Sequence, residues 1–408
     1  MEYEGRYKAF DTTRIRTYPL ATRSNKVKLG DLTLPKQVAG RSFDVPQQVR
    51  RDVQAVAEAI VAARRAGKPV ILFTGAHLIK NGLGPLLLDL VERDCVTLVA
   101  GNGATTIHDF ELALIGETSE NVPAGLDKGL FGMAYEFAYI NTALSVGNEQ
   151  KLGYGESLGR TICDEGFRRQ VLALAAEKGR SGLYSSTKSP SAQSAAARRG
   201  SISLKNRGDE ALGARSGFDG GKSNQEIFPP QSRPDLPFSA SEGETPSDFS
   251  HPEVSVLAAC YRRGVPFTVH VGIGTDVIDQ HASFDGQAKG GCSGRDFLLY
   301  TNEVAKLTAG GVVLNVGSAV TGPEVLLKAV SMAANVGCVP HGIVTADFDL
   351  RMHEARQMTD EAAQCYYFRD QKSVVTRIPE AFGGRGLYVQ GDQKQTFPLL
   401  YLQITECM

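Results

Sequence analysis

No apolar run in these 408 residues approaches the length of a membrane span, so a transmembrane protein is not expected. The seven cysteines (95, 163, 260, 292, 338, 365 and 407) are odd in number, scattered and without a Cys-x-x-Cys pair. That pattern argues against a zinc ribbon or a disulfide framework and for reduced thiols in a cytoplasmic setting. An excess of one charge is lacking too. With 44 basic and 45 acidic side chains the net charge is −1, which offers no general attraction for nucleic acid. The opening residues, MEYEGRYKAFDTTRIRTYP, have no apolar core of the secretory type. Neither Gly-x-Gly-x-x-Gly nor a P-loop occurs in the loops discussed below.

What the chain does have is a repeated strand–loop–helix signal. Val70–Thr74 and Val96–Ala100 read as buried strands, and each runs into a small polar loop, Gly75 to Gly82 and Gly101 to Thr106. Residues 1–50, broken by Pro19, Pro35 and Pro46, read as an irregular arm. Asp52–Ala66 carries Val53, Val56, Ile60 and Ala63 at helical spacing, and Gly67 ends it. Lys128–Glu149 and Glu156–Lys178 read as further helices. Residues 179–250 are rich in Ser, Gly, Arg and Pro and read as a disordered insertion; within it Arg198-Arg199-Gly200-Ser201 resembles a basophilic kinase site. Beyond it, strands are expected at Pro266–Val271, Gly311–Gly317, Gly342–Ala346 and Gly386–Val389, with helices at Glu253–Arg263, Asp296–Leu307 and Pro323–Asn335. Strands alternating with helices on both sides of the insertion imply one α/β domain, 51–408, built on a doubly wound, Rossmann-like parallel sheet.

In such sheets ligands bind at the carboxyl ends of the strands. Gly75, Ala76 and His77 in one loop and Asn102, Gly103 and Ala104 in the other let backbone N–H groups approach a phosphate or ribose, or else form tight turns with no ligand. Gly317-Ser318 and Thr345-Ala346-Asp347 end the next two strands on the same edge. His108 and Asp109 read either as a base and a ribose contact or as helix capping. The loop after Val271 carries Asp276, Asp279 and His281, with His270 just before it. Those four side chains suit a cationic amine, a divalent metal or plain solvated polarity.

Several segments together resemble the deoxyhypusine synthase family: Val70–Asp109 with its two loops, Pro266–Asp279 with its acidic loop, Gly311–Val320, Ile343–Ala346 with Thr345-Ala346, and Val389–Leu400 with Asp392 and Phe397-Pro398-Leu399-Leu400. The resemblance implies NAD at the strand carboxyl ends, at Gly75–His77, Asn102–Ala104, Asp109, Gly317-Ser318, Thr345-Ala346 and Asp392. It also implies a homodimer or homotetramer, and an amine substrate contacted by Asp279, with Asp276 close by. In the family NAD takes hydride from a polyamine and a lysine captures the imine. Here that lysine's position falls near Pro379, Lys372 lies several residues too early, and the chain has no tryptophan for the amine site. The family's histidine falls near Gly322, and its acidic pair after the second strand reads Ile107-His108. The expectation is therefore an NAD-binding transferase or oxidoreductase acting on a small amine by a reaction other than deoxyhypusine synthesis, with His108 or His281 as base. The rival expectations are a non-catalytic nucleotide-binding protein on the same fold and a metal-dependent hydrolase using His270, Asp276, Asp279 and His281.

Overall fold

A computed structural model describes residues 4–180, 248–308, 310–354, 358 and 360–408. Apart from its edges, the expected insertion, with the Arg198–Ser201 stretch, lies outside the described residues. Six strands form one all-parallel sheet: β2 (Val70–Thr74), β3 (Leu98–Gly101), β5 (Phe267–Val269), β6 (Val312–Val316), β7 (Val344–Asp349) and β8 (Arg385–Gln390). Their order is β5-β3-β2-β6-β7-β8. Every residue of β2 and β6 is buried, as expected of central parallel strands covered on both faces.

Helices cover the two faces. Leu72 and Val70 point into one core, and Ile71 and Phe73 into the other. The first core includes residues of α2 (Gln47–Arg65), α4 (Gly84–Glu92), α5 (Gly103–Ile115), α7 (Phe137–Glu149), α8 (Tyr154–Cys163), α10 (Val256–Arg263) and α14 (Gln393–Cys407). The second includes residues of α11 (Gly286–Val304), α12 (Thr321–Asn335) and α13 (Ile378–Ala381). This is the doubly wound, Rossmann-like α/β arrangement expected from the alternation of elements. In α2, Val49, Val53, Val56, Ala57 and Ile60 recur on the buried face, and Gly67, at φ +66°, takes the chain out of the helix. Truncating Ile60, 1% exposed, to alanine would destabilise the fold by about 2–5 kcal/mol.

The first fifty residues are more ordered than an irregular arm. Asn25–Lys28 (β1) pairs antiparallel with Glu117–Glu120 (β4). Arg23 is buried against Glu111 at 2.6 Å, and the Leu20 N–H donates to Glu136 at 2.7 Å. Further boundaries differ from expectation, and the helix expected from Lys128 begins only at Phe137. The stretch expected as one helix from Glu156 is divided at Asp164, where extended backbone separates α8 from Glu165–Arg180 (α9). Gly286–Gly291, expected as the end of the polar loop after Val271, forms the start of α11, because Asp285 caps it by accepting from the Gln287 and Ala288 N–H groups. Among the described residues, no helix is long and apolar enough to cross a membrane.

Candidate functional site

The strand order reverses at β2: the chain proceeds to β3 and β5 on one side, then returns to β6, β7 and β8 on the other. Such a reversal opens a crevice at the carboxyl ends of the two central strands. Gly75 and Gly317-Ser318 meet there. The Gly75 N–H donates to the Val316 carbonyl at 3.0 Å, and a Cβ on Gly75 would overlap the Gly317 carbonyl oxygen. Gly317 sits at φ +68° under the Gln393 side chain, whose buried Oε1 has no partner. Ser318 accepts from the Gly322 N–H at 2.9 Å and so caps α12. Ala76 and His77 follow Gly75 in a five-residue helix, α3 (Ala76–Lys80), with His77 exposed.

The second loop is differently occupied. Asn102 caps α5 through the Thr105 N–H at 3.0 Å. The free Ala104 N–H, where a phosphate would be held, instead meets the Asp276 carboxylate, and a Cβ on Gly103 would overlap that carboxylate. Lys289, from α11, reaches Asp276 at 2.7 Å and Asp279 at 2.5 Å and is itself fully buried. Asp279 also accepts from the N–H groups of Gly274 and Thr275. Burial raises the Asp276 pKa, and Lys289 opposes that rise. The two aspartates expected to face a cationic substrate therefore face a cation supplied by the protein.

The remaining expected site residues do not converge. Asp109 accepts from Ser255 Oγ and from the Val256 and Leu257 N–H groups, so it caps α10; burial pushes its pKa up to about 6. His108 bonds Thr118 at 2.7 Å, next to the Arg23–Glu111 pair, and burial lowers its pKa. His281 pairs with Ser283 at 2.7 Å, its Nε2 is buried without a partner, and burial brings its pKa down to about 4. His270 stacks on Phe73 at 5.5 Å, and burial lowers its pKa to about 3. The metal set of His270, Asp276, Asp279 and His281 is thus not assembled: the histidines face a ring and a hydroxyl, and the aspartates face Lys289. Thr345 and Ala346 lie inside β7, where Thr345 donates to the Val374 carbonyl and Ala346 belongs to the core. Asp392 caps α14 by accepting from the Lys394 N–H at 2.9 Å.

A constellation the sequence reading did not assemble lies where β7 ends. The strand continues past Ala346 to Asp349, and Asp347 and Asp349, two residues apart, share a face. Asp370 joins them, and the three offer oxygens within 4.8 Å of one another. Asp347 stands in register with Asn315 on β6 and Tyr388 on β8. The Asn315 amide donates to Asp347 Oδ1 at 2.7 Å and to the Ser318 carbonyl at 2.9 Å, linking this pit to the crevice. Asp347 is 0% exposed and its Oδ2 has no partner. Arg351 holds Asp349 at 2.5 Å and also binds Asp370, so one guanidinium serves two of the three carboxyls. Gln371 donates to the Tyr388 hydroxyl at 2.9 Å, and His353 stacks on that ring at 4.8 Å. Burial, then the neighbouring Asp370, raises the Asp347 pKa well above the usual carboxylate range. A positive charge placed among these oxygens would favour ionisation of Asp347.

No known family model matches the chain, and no curated protein matches it in sequence. Solved structures that resemble it include apo ArgZ, an arginine dihydrolase from the cyanobacterial ornithine–ammonia cycle (14% identity, TM-score 0.41, covering 90% of this chain and 33% of that one). Another is AgrE in ternary complex with ornithine and NAD+ (13%, 0.40, 90% and 34%). A third is a conserved putative LOR/SDH protein from Methanococcus maripaludis S2 (14%, 0.39, 90% and 71%). The chain spans about a third of the length of the first two. Likeness at this level assigns no activity, substrate or cofactor to the chain, and membership of the deoxyhypusine synthase family is not shown.

The signal for the pit was present in the sequence as Thr345-Ala346-Asp347-Phe348-Asp349, an alternation with both carboxylates on one face. Lys289 carried no such signal, because it falls in a glycine-rich run that reads as loop.

Proposed function

We propose that this chain is an enzyme that uses NAD on a small cationic amine, a divergent relative of the deoxyhypusine synthase-like enzymes with a reaction of its own. One observation carries the reading: Asp347, fully buried in a three-carboxyl pit beside the crevice where the strand order reverses, keeps an oxygen without a partner. Leaving a polar atom buried and unpaired is costly, and an ammonium group satisfies it. Gly75, Ala76 and His77, with Gly317 and Ser318, would hold the cofactor; the two glycines let the β2 and β6 loops and the Gln393 side chain pack closely at the crevice, and the orphaned Gln393 Oε1 supplies an acceptor. Asn102 and Ala104 would contribute less, since Asn102 caps α5 and Asp276 already meets the Ala104 N–H. NAD would supply hydride acceptance. The chain's own residues would bind the amine at Asp347, Asp349 and Asp370, and Asp347 would release its proton as the ammonium enters.

The test is NADH formation by the full chain with NAD and a panel of small diamines and polyamines, with Asp347→Asn as control. Turnover that disappears in the variant supports the reading. Failure of NAD to shift the unfolding temperature at millimolar concentration, together with no NADH from any amine, sinks it. The spacing of the three carboxylates also favours a second reading, a divalent cation bound through oxygen ligands. Equilibrium dialysis against Mn2+ separates the two: stoichiometric metal lost in Asp349→Asn favours the metal.

A further inference from the structure

The segment that lends Asp370 to the pit sends its next charged side chain elsewhere. Gln371–Arg377 forms a π-helical turn, a local widening often found at functional sites. Lys372, on this turn, is 4% exposed. Its Nζ lies 3.4 Å from the centre of the Tyr366 ring, which shields it as a thin outer layer. Among the described residues it makes no hydrogen bond or ion pair. Next to it is a cavity of about 390 Å3, lined in part by Lys372, Arg377, Thr376, Tyr366, Glu361 and Glu380. That volume is in the range of small-ligand sites.

A shielded ammonium with only a ring face for company is an incomplete arrangement. The cation–π contact offsets part of the lost hydration, and no acceptor among the described residues meets the three N–H donors. Burial, and after it the nearby Arg377 and Arg369, lower the Lys372 pKa, and Glu361 opposes them. Arg377 also lines the cavity, and the Thr376 hydroxyl adds a donor. Glu361 is engaged by the Tyr366 hydroxyl at 3.1 Å and stands with Glu380 at the cavity wall. Two glutamates disfavour a dianion but tolerate a single negative charge placed against the lysine and arginine.

We propose that this cavity binds a small carboxylate, held by the Lys372 ammonium and the Arg377 guanidinium, at a site separate from the acidic pit. The carboxylate satisfies the unused donors and relieves the repulsion among Lys372, Arg369 and Arg377. Cofactor or amine chemistry at the pit plays no part in the proposal.

Calorimetric titration of the full chain with sodium acetate, inorganic phosphate and methylammonium chloride tests it, at constant ionic strength and near pH 7. Acetate binds the wild type, Lys372→Met weakens it at least tenfold, Arg377→Gln weakens it less, phosphate binds more weakly than acetate, and saturating methylammonium does not displace acetate. In buffer without carboxylates Lys372→Met unfolds at a higher temperature than the wild type, the opposite of what a purely structural lysine gives. Equal acetate binding by wild type and Lys372→Met, no binding at all, or tighter binding of phosphate overturns the proposal. So does a covalent adduct on Lys372 after treatment with an aldehyde and cyanoborohydride without acetate binding, which makes the residue a nucleophile and not a counter-ion.

Discussion

Two groups of aspartates lie along the carboxyl edge of one sheet, and they are opposites. Asp276 and Asp279, after β5, share the buried Lys289 and take up backbone N–H groups of their own loop and of α5. In the group of Asp347, Asp349 and Asp370 at the end of β7, Asp349 and Asp370 share Arg351 and an oxygen of Asp347 is left without a protein partner. In the first group both carboxylates meet a cation of the protein; in the second only Asp349 and Asp370 do. Carboxylates at a strand end thus say little about ligands until their partners are counted. A satisfied cluster ties elements together, and an unsatisfied one points to what the protein binds.

The largest test of this contrast removes the internal cation. Lys289→Met leaves two shielded carboxylates unpaired and should destabilise the fold by roughly 3–5 kcal/mol, read as a drop in the urea midpoint. Adding Asp276→Asn and Asp279→Asn should recover most of that loss; if the single variant is as stable as the wild type, the triad has no anchoring role. Next comes Asp347→Asn. It should weaken binding of a small diamine at least tenfold, about 1.4 kcal/mol, by calorimetry, while the apparent unfolding temperature holds or rises. A fall in stability with unchanged binding would put Asp347 in the same class as Asp276. Arg351→Gln removes the competing guanidinium from the pit and should tighten the same diamine by a few-fold, roughly 0.5–1 kcal/mol; weaker binding would mean that Arg351 shapes the site instead of competing for it.

The smallest effect comes from a third arrangement, a carboxyl with no cation at all. Asp296 accepts from the Gly155 and Val269 N–H groups, and burial pushes its pKa up from 3.8 to about 8. The folded chain keeps a proton that the unfolded chain releases. Between those two values Asp296 therefore makes stability fall as pH rises. Asp296→Asn should flatten the decline in unfolding temperature from pH 6 to about 8, and an unchanged slope would mean that the carboxyl ionises freely.

The sheet was largely legible in the sequence because its strands are apolar runs bounded by glycine. Val70–Thr74 matches its expected limits, and Val312–Val316 lies within Gly311–Gly317. Errors arose where tertiary contacts overrode local pattern. Gly286–Gly291 is helical because Asp285 caps it and it packs Ala288 and Lys289 inside, a fact no propensity scale supplies. β7 runs on through Asp347 because Asn315 and Tyr388 stand beside it in register, so a polar residue that reads as the end of a strand is its interior. Asp109, which reads as a ribose contact or a helix cap, caps a helix in a distant segment, and Asp392, expected at the cofactor, caps α14. Residue type placed polar groups at the correct edge of the sheet; only pairing decides which of them have unfilled valence.

Lys289 carries one last consequence. Its ammonium is tethered to the fold and stands 2.7 and 2.5 Å from its two acceptors. In kinetic language it is a resident ligand with an effective concentration well above the ~millimolar level of a flexible linker, because a packed helix presents it in one place. A free amine at cellular concentration would lose that contest at every encounter. Selectivity for where an outside cation can land is in this way decided before any substrate arrives.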